Sequence, residues 1–338
     1  MVALPGVAVG LPLLVATAPI WMVGALVVDL ASGLRTLPSL RLGAFAVAYL
    51  AHEWIGVVGY TVLRIRFGLP RRLRRSGGDD RRAELLAHRR IQAWWADSLL
   101  RWADRLLGLR IDLPPTVELP PGGLILLSRH ASMVDAILPA ALVASRADRF
   151  IHYVMKDELQ WIPTVELFSR SLGNHFVARG DLGEAAGVAR FARAALDESV
   201  LTIFPEGTFA TPESRRRVRE RLTRRRSGRL GGLGELALSL RHLLPPRPAG
   251  TLALLTAQPD RDVVVLGHVG LEHVGRLGDL RRHLPLPHPV VVEWWHHPRH
   301  ELPADRADLI DWLNDRWRRL DAWVDEVTSS RHDQGGLP

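Results

Sequence analysis

Residues 7–28 form an apolar segment without a charged side chain, and no other feature constrains the fold of this chain as strongly. A helix that crosses a bilayer takes about 20 apolar residues, which this segment supplies. A second apolar segment, residues 43–63, has His52 and Glu53 near its middle. Because charge is costly in lipid, we expect that segment to face a partner helix or to be only partly inserted. The sequence therefore predicts an N-terminal pair of membrane helices, which span the bilayer or dip into it.

The distribution of charge indicates the surroundings of the rest of the chain. The net charge is +8, and nearly all positive charge is arginine because Lys156 is the only lysine. Residues 64–75 are dense in arginine, whereas the loop before the second apolar segment has only Arg35 and Arg41. The positive-inside rule then places the downstream body on the cytoplasmic side of a membrane, which we expect to be the cytoplasmic membrane of a bacterium. Basic proteins bind anions, and the membrane segments favour membrane lipids over nucleic acid as partners.

From about residue 120, apolar strand-like runs alternate with helical stretches. Continuous apolar strands that alternate with helices are typical of an α/β domain with a largely parallel sheet flanked by helices. The strand candidates are 123–128, 150–155, 174–178, 200–204, 262–269 and 289–294, and the helix candidates are 132–143, 183–197, 229–240 and 304–327. The predicted organisation is serial, with membrane helices and a basic flank in 1–75, a linker and amphipathic helix in 76–119, the α/β domain in 120–328 and a disordered tail in 329–338.

Two basic segments each allow two interpretations. Residues 82–108 place Trp and Leu at helical spacing with arginines opposite, as in a core-packing helix or in one that lies on the membrane surface. Residues 215–226 are rich in arginine, which suits a solvated face or a contact with lipid headgroups or coenzyme phosphates.

A histidine five residues before an aspartate recurs along the chain. Composition predicts about one such match by chance, and spacing alone therefore identifies nothing. On a regular helix the two side chains would point about 140° apart, so they meet only where a loop turns into a helix. His130 fits, since a strand ends near Ser128 and Ser132 is placed to begin a helix as its N-cap. The three pairs are His130/Asp135, His152/Asp157, where the histidine lies within a strand candidate, and His300/Asp305, in a polar loop.

A second motif supports the first pair. Ser132 and Asp135 also form a capping-box pattern, in which the carboxylate would serve only the helix end. The sequence FPEGT at 204–208, however, follows another predicted strand. Ligands of open parallel sheets bind outside the carboxyl ends of the strands, where both motifs are expected. We therefore predict that His130 and Asp135 form a catalytic pair.

The two motifs in this order resemble those of glycerolipid acyltransferases of the 1-acylglycerol-3-phosphate acyltransferase family. The resemblance covers roughly residues 120–325, and residues 173–180 resemble a further block of the family, G-x-x-F-I/V-x-R. The stretches 156–163, 242–250 and 311–317 are most similar to the lysocardiolipin acyltransferase-like branch. Arg129 departs from the asparagine of many members, and we expect it to bear on acceptor choice.

The resemblance implies transfer of a fatty acyl group from acyl-CoA or acyl-carrier protein to the free hydroxyl of a lysophospholipid, foremost 1-acylglycerol-3-phosphate. His130 would be the general base, and Asp135 would fix its tautomer and stabilise the imidazolium. A thioester is already activated, so we expect neither metal nor cofactor. The chain has no cysteine, which excludes an acyl-thioester intermediate on the protein. Ser128 and Ser132 are possible nucleophiles, but without a G-x-S-x-G elbow we favour direct transfer.

The resemblance also implies which residues hold the phosphorylated acceptor. Arg179, Glu206 and Gly207 are the expected residues, with Arg179 able to bind phosphate through two parallel hydrogen bonds. Glu206 would accept hydrogen bonds from glycerol hydroxyls or orient Arg179, unless it is only an acid at a helix N-terminus. Thr208 could donate a hydrogen bond, and Lys156 is a further phosphate candidate.

Three other functions stay open. The acceptor could be another lysophospholipid or a glycolipid. Alternatively, the protein could be a membrane scaffold without catalytic activity that binds anionic lipid or nucleic acid through its arginine run. A metallohydrolase built on His130 and Asp135 is the weakest alternative, because the motif segments hold no further cluster of metal ligands.

Overall fold

The computed structural model describes residues 4–73, 78–111, 113, 117–177, 183–224, 232–275 and 277–335. The chain forms two compact units built from interleaved segments. The first unit comprises Met1–Glu118, Ile137–Gly180 and Leu277–Pro289, and the second comprises Leu119–Ala136, Asp181–Arg276 and Val290–Pro338. The serial division expected from the sequence stays a prediction.

Strands and helices follow each other in the alternating order that the sequence predicts. The strands are β1 (Leu124–Ser128), β2 (Ile151–Lys156), β3 (His175–Val177), β4 (Val200–Ile203), β5 (Asp262–Val269) and β6 (Val291–His297). The α-helices are α1 (Leu4–Ala16), α2 (Ala18–Ala31), α3 (Pro38–Leu73), α4 (Gly78–Leu107), α5 (Ile137–Pro139), α6 (Pro163–Leu172), α7 (Glu184–Ala194), α8 (Pro212–Arg224), α9 (Gly232–Ser239), α10 (Pro248–Ala257), α11 (Leu277–Arg282) and α12 (Arg306–Gly335).

The second unit is built on four strands in the order β4-β1-β5-β6. β1 pairs in parallel with both β4 and β5, while β6 is antiparallel to β5. Leu124–Leu127 of β1 are almost fully buried, as expected of a central strand covered on both faces. Helices α10 and α12 pack against these strands and each other, and α7 packs on α10. Gly267 allows α12 to approach β5 closely, since a Cβ there would lie 2.6 Å from Leu320 Cδ1.

The first unit combines a short parallel pair, β2 and β3, with the N-terminal helices. The longest contact between elements of this unit runs along α3 and α4, and α1 and α2 also pack on α3. α3 includes an apolar stretch, Pro38–Gly68, that is long enough to cross a membrane. The fold class expected from the sequence, a largely parallel sheet flanked by helices, is confirmed together with an N-terminal group of apolar helices.

The first apolar segment is not one straight helix. α1 and α2 meet at Thr17, and the described part of this pair is bent by 65°. Together they qualify as one broken span or as a re-entrant loop. Asp29, near the end of α2, accepts hydrogen bonds from Ser39 N and Leu40 N in the first turn of α3. A carboxylate at a helix N-terminus is favourable, and this contact fixes the turn between the two helices.

The polar pair in the middle of α3 faces protein. His52 lies 2.8 Å from Ser98 Oγ of α4, and Glu53 accepts hydrogen bonds from the main-chain N and the hydroxyl of Thr164 at the start of α6. Apolar side chains on α3 such as Ile55 and Val62 are instead about half exposed. The expectation that His52 and Glu53 face a partner helix therefore holds in this structure.

Several expected elements differ from the structure. The predicted helix 132–143 consists of a 3₁₀ turn, Val134–Ala136, the single turn α5 and a π-helix, Ala140–Arg146. α6, α8, α10 and α11 were not expected as helices, and α8 contains most of the arginine run. The last helix continues to Gly335, so residues 329–335 are helical where the sequence predicted a disordered tail. On α4, Trp95 and Leu99 are buried whereas Trp94 and Trp102 are partly exposed, so both interpretations of that helix stay open.

Candidate active site

The site lies in the second unit, beyond the carboxyl ends of β1 and β4. β1 ends at Ser128, His130 follows two residues later, and the first helical turn begins at Val134. This loop brings His130 Nδ1 to 3.1 Å from Asp135 Oδ1. The structure thus joins the two residues of the predicted pair through the loop-to-helix turn that their spacing requires.

Asp135 holds the loop as well as the histidine. Its Oδ2 accepts hydrogen bonds from Ala131 N and, at 2.7 Å, from Ser132 N. Burial acts to raise the pKa of Asp135, but the nearby charges and hydrogen bonds of His130 and His268 hold the pKa below its usual range. The capping and catalytic interpretations are therefore compatible, because each uses a different carboxylate oxygen. Ser132 does not act as an N-cap through its side chain, whose buried Oγ has no partner among the described residues.

The arrangement determines which nitrogen of His130 is basic. An ionised Asp135 can only accept, so Nδ1 must carry the proton that lies between the two side chains. Nε2 is then the free lone pair, and no described residue forms a hydrogen bond to it. The ring lies between Phe204 and Phe209, with centroid distances of 4.4 and 4.5 Å. His130 keeps 9% of its surface exposed. The site thus presents one basic nitrogen in an aromatic pocket.

Glu206 of the FPEGT motif accepts a hydrogen bond from the main chain of this histidine. It is 1% exposed, and its two oxygens accept hydrogen bonds from His130 N at 2.9 Å and from Leu244 N at 3.1 Å. Burial raises the pKa of Glu206 to about 8, although the two main-chain donors act in the opposite direction. These contacts make Glu206 a positioning residue that ties two loops together. Its direct contact with an acceptor stays a prediction.

The other expected acceptor residues have different positions. Gly207 adopts φ +64° at the end of the turn 204–207, and Thr208 is half-buried next to it. Lys156 lies in the first unit at the end of β2. Arg179 falls outside the described residues. Acceptor binding by these four residues therefore stays a prediction.

A buried polar cluster beneath Asp135 was not expected from the sequence. His268 Nε2 on β5 lies 3.5 Å from Asp135 Oδ2, and Arg129 pairs with Glu272 at 2.6 Å. Arg129 also donates to the main-chain oxygen of His268. Burial acts to raise the pKa of Glu272, but the Arg129 guanidinium holds it at about 2. Arg129 itself is fully buried, and its bearing on acceptor choice stays a prediction.

Several arginines of the arginine run form hydrogen bonds or ion pairs within the protein. On α8, Arg215 donates to the main-chain oxygens of Ala210 and His242, while Arg216 and Arg217 form ion pairs with glutamates of the same helix. The exposed pairs keep both interpretations of the run open. Among the described residues, no group of three or more His, Asp or Glu side chains could hold a metal ion.

Comparisons with known proteins agree with this site. A family model described as acyltransferase matches residues 115–242, which include both motifs. The chain is 25% identical over 264 residues to 1-acyl-sn-glycerol-3-phosphate acyltransferase epsilon of Mus musculus, covering 71% of this chain and 68% of that relative. The fold is similar to the crystal structure of the 1-acyl-sn-glycerophosphate (LPA) acyltransferase PlsC from Thermotoga maritima, with a TM-score of 0.51, 14% identity and coverage of 85% of this chain and 98% of that one.

Proposed function

We propose that this glycerolipid acyltransferase, which is similar to proteins of the 1-acylglycerol-3-phosphate acyltransferase family, acylates the free hydroxyl of a membrane lysophospholipid. The acceptor we favour is 1-acylglycerol-3-phosphate, and the donor is acyl-CoA or acyl-carrier protein. The observation that carries the proposal is the contact of 3.1 Å between His130 Nδ1 and Asp135 Oδ1, which leaves the lone pair of Nε2 free to act as the base.

The reaction follows from that geometry. His130 Nε2 removes the proton of the acceptor hydroxyl as its oxygen attacks the thioester carbonyl, and the buried carboxylate of Asp135 stabilises the imidazolium that forms. The tetrahedral intermediate then collapses, the C–S bond breaks, and the leaving thiolate takes the proton from His130. The acyl group moves from sulfur to oxygen, and neither metal nor cofactor is needed in the proposed reaction.

Direct transfer is favoured over an acyl-serine intermediate. A serine nucleophile needs a base within hydrogen-bonding distance. Ser128 and Ser132 are fully buried, and the hydroxyl of Ser128 donates to Arg129 O rather than to His130. Neither hydroxyl is therefore placed for activation by the base.

Attachment to a membrane is part of the proposal. The long apolar helix α3, with its outward-facing apolar side chains, suits a bilayer, and an acceptor lipid would reach the enzyme from there. The arginine-rich residues 64–75, which follow the apolar segment 43–63, support a cytoplasmic location of the catalytic residues at the cytoplasmic membrane of a bacterium.

The proposal is tested on membranes that contain the wild-type protein. Labelled oleoyl-CoA or oleoyl-acyl-carrier protein is supplied with a panel of lysophospholipids and one glycolipid, and the product lipid is quantified. Acylation of 1-acylglycerol-3-phosphate above all other acceptors is expected, whereas preference for another headgroup would replace the proposed acceptor. Absence of acyl transfer with every pair, together with salt-sensitive binding of polyanions, would support the scaffold instead. Hydrolysis that stops with a chelator would support the metallohydrolase.

A further inference from the structure

We propose that Arg247 forms a phosphate subsite for the acceptor at the rim of the active site, an inference that rests on the proposed function. Arg247 lies in the proline-rich block 242–250, to which the sequence gives no role. Its side chain extends across Gly207, the last residue of the turn that carries Glu206. A Cβ built on Gly207 would lie 3.2 Å from Arg247 Cδ and 3.5 Å from Cζ. The absence of a side chain at Gly207 therefore leaves the space that the guanidinium occupies.

The main chain holds Arg247 in this position. Arg247 N donates to Pro205 O at 2.7 Å, and three residues earlier Leu244 N donates to Glu206 Oε2. At the other end of the loop, the buried carboxylate of Asp321 accepts hydrogen bonds from the main-chain N–H groups of residues 241–243. The arginine is thus presented by a loop fastened at both ends, which lowers the entropy lost when a ligand binds.

The charge of Arg247 is available. Its side chain is exposed, and in the described part of the chain no carboxylate pairs with it. Neighbouring arginines differ, since Arg215 is engaged by main-chain oxygens and Arg241 pairs with Asp325 at 2.8 Å. A guanidinium held in place without a counter-ion is suited to a planar, two-point contact with phosphate.

The position of Arg247 relative to His130 indicates that the bound phosphate belongs to the acceptor rather than to the acyl donor. Arg247 lies against Gly207, and the preceding residue, Glu206, accepts a hydrogen bond of 2.9 Å from the main-chain N of His130, the residue that must receive the hydroxyl proton. In a glycerol 3-phosphate the reacting hydroxyl and the phosphate are on adjacent carbons. In coenzyme A the whole pantetheine arm separates the thioester from the nearest phosphate. A phosphate close to the reacting hydroxyl therefore belongs to the acceptor.

The test compares Arg247→Ala, Arg247→Lys and the matched control Arg241→Ala, which removes an exposed arginine of the same loop. KM and kcat are measured in membranes for 1-oleoylglycerol 3-phosphate and for oleoyl-CoA. We expect Arg247→Ala to raise the KM of the phosphorylated acceptor about tenfold with little change in kcat, as for loss of a charge-assisted hydrogen bond. Arg247→Lys should cause a smaller rise, since charge is kept but the two-point contact is lost. Arg241→Ala should match the wild type.

A binding measurement separates this proposal from the proposed function. On a His130→Ala background, equilibrium dialysis measures the Kd of 1-hexanoylglycerol 3-phosphate and of 1-hexanoylglycerol, with and without Arg247→Ala. About tenfold weaker binding of the phosphorylated compound alone supports the subsite even if no acceptor is turned over. Equal binding with and without Arg247 would overturn it, as would a rise confined to the KM of oleoyl-CoA. Loss of acyl transfer by the wild type would instead refute the proposed function.

Discussion

Asp135→Asn is the substitution for which the structure gives the sharpest expectation. The carboxylate now accepts from His130 Nδ1 on one oxygen and from Ala131 N and Ser132 N on the other. An asparagine has one acceptor oxygen, and the two main-chain donors of the loop will hold it. Its amide nitrogen then faces His130 Nδ1 and can only donate. The histidine must therefore accept at Nδ1, which moves its proton to Nε2 and abolishes the base.

We expect Asp135→Asn to lower the rate of acyl transfer strongly and the stability of the fold only slightly. A buried triad aspartate changed to asparagine typically lowers kcat by about 10⁴ through this reversal of tautomer. Because the two loop hydrogen bonds remain, we expect Asp135→Asn to keep the thermal unfolding midpoint within a few degrees of the wild type. Asp157→Asn is the matched control, since it removes the aspartate of another His-x4-Asp pair. Acyl transfer by Asp135→Asn within tenfold of the wild type would refute the assigned tautomer.

Three further expectations concern residues around the pair. The folded protein raises the pKa of Glu206 from 4.5 to about 8, so the stability that its protonated form contributes is complete below pH 4.5 and is lost as pH rises through 8. Between these two values the free energy of unfolding should fall by about 1.4 kcal/mol per pH unit. The Glu206→Gln variant should lack this slope. Gly207→Ala should raise the acceptor KM, since its Cβ would crowd Arg247 and Gly207 has φ +64°; an unchanged KM would show that the arginine moves freely. Glu272→Gln should destabilise the protein by about 3 kcal/mol in denaturant unfolding because it leaves the Arg129 charge buried, and adding Arg129→Met should recover most of that loss if the buried charge is the cause.

The sequence predicts the parts of the fold that depend on local pattern. All six strands are present, and β5 has the expected bounds because its apolar run is continuous. The His130–Asp135 contact could also be predicted, since a strand end followed by a helical turn brings residues five apart together. The expected helix start at Ser132 was wrong in detail because Asp135, rather than the Ser132 hydroxyl, satisfies the first main-chain donors.

Long-range contacts could not be predicted in the same way. His268 reaches Asp135 because β5 pairs with β1 in a register that places Leu266 beside Ser128, and one sequence does not reveal strand register. The motif around Glu206 likewise does not show that Leu244 N, from 38 residues away, donates a second hydrogen bond to this side chain. The bend at Thr17 also interrupts a segment whose hydropathy is uniformly apolar.

The most direct test of the central claim is the rate of acyl transfer by His130→Gln across a range of pH. Glutamine can keep a hydrogen bond to Asp135 but has no basic nitrogen, so the pocket between Phe204 and Phe209 should remain while the base is lost. A general base typically contributes 10²–10⁴-fold to the rate, and we expect a loss of about that size at every pH measured. A His130→Gln enzyme that keeps the wild-type rate would contradict the assignment of His130 as the base.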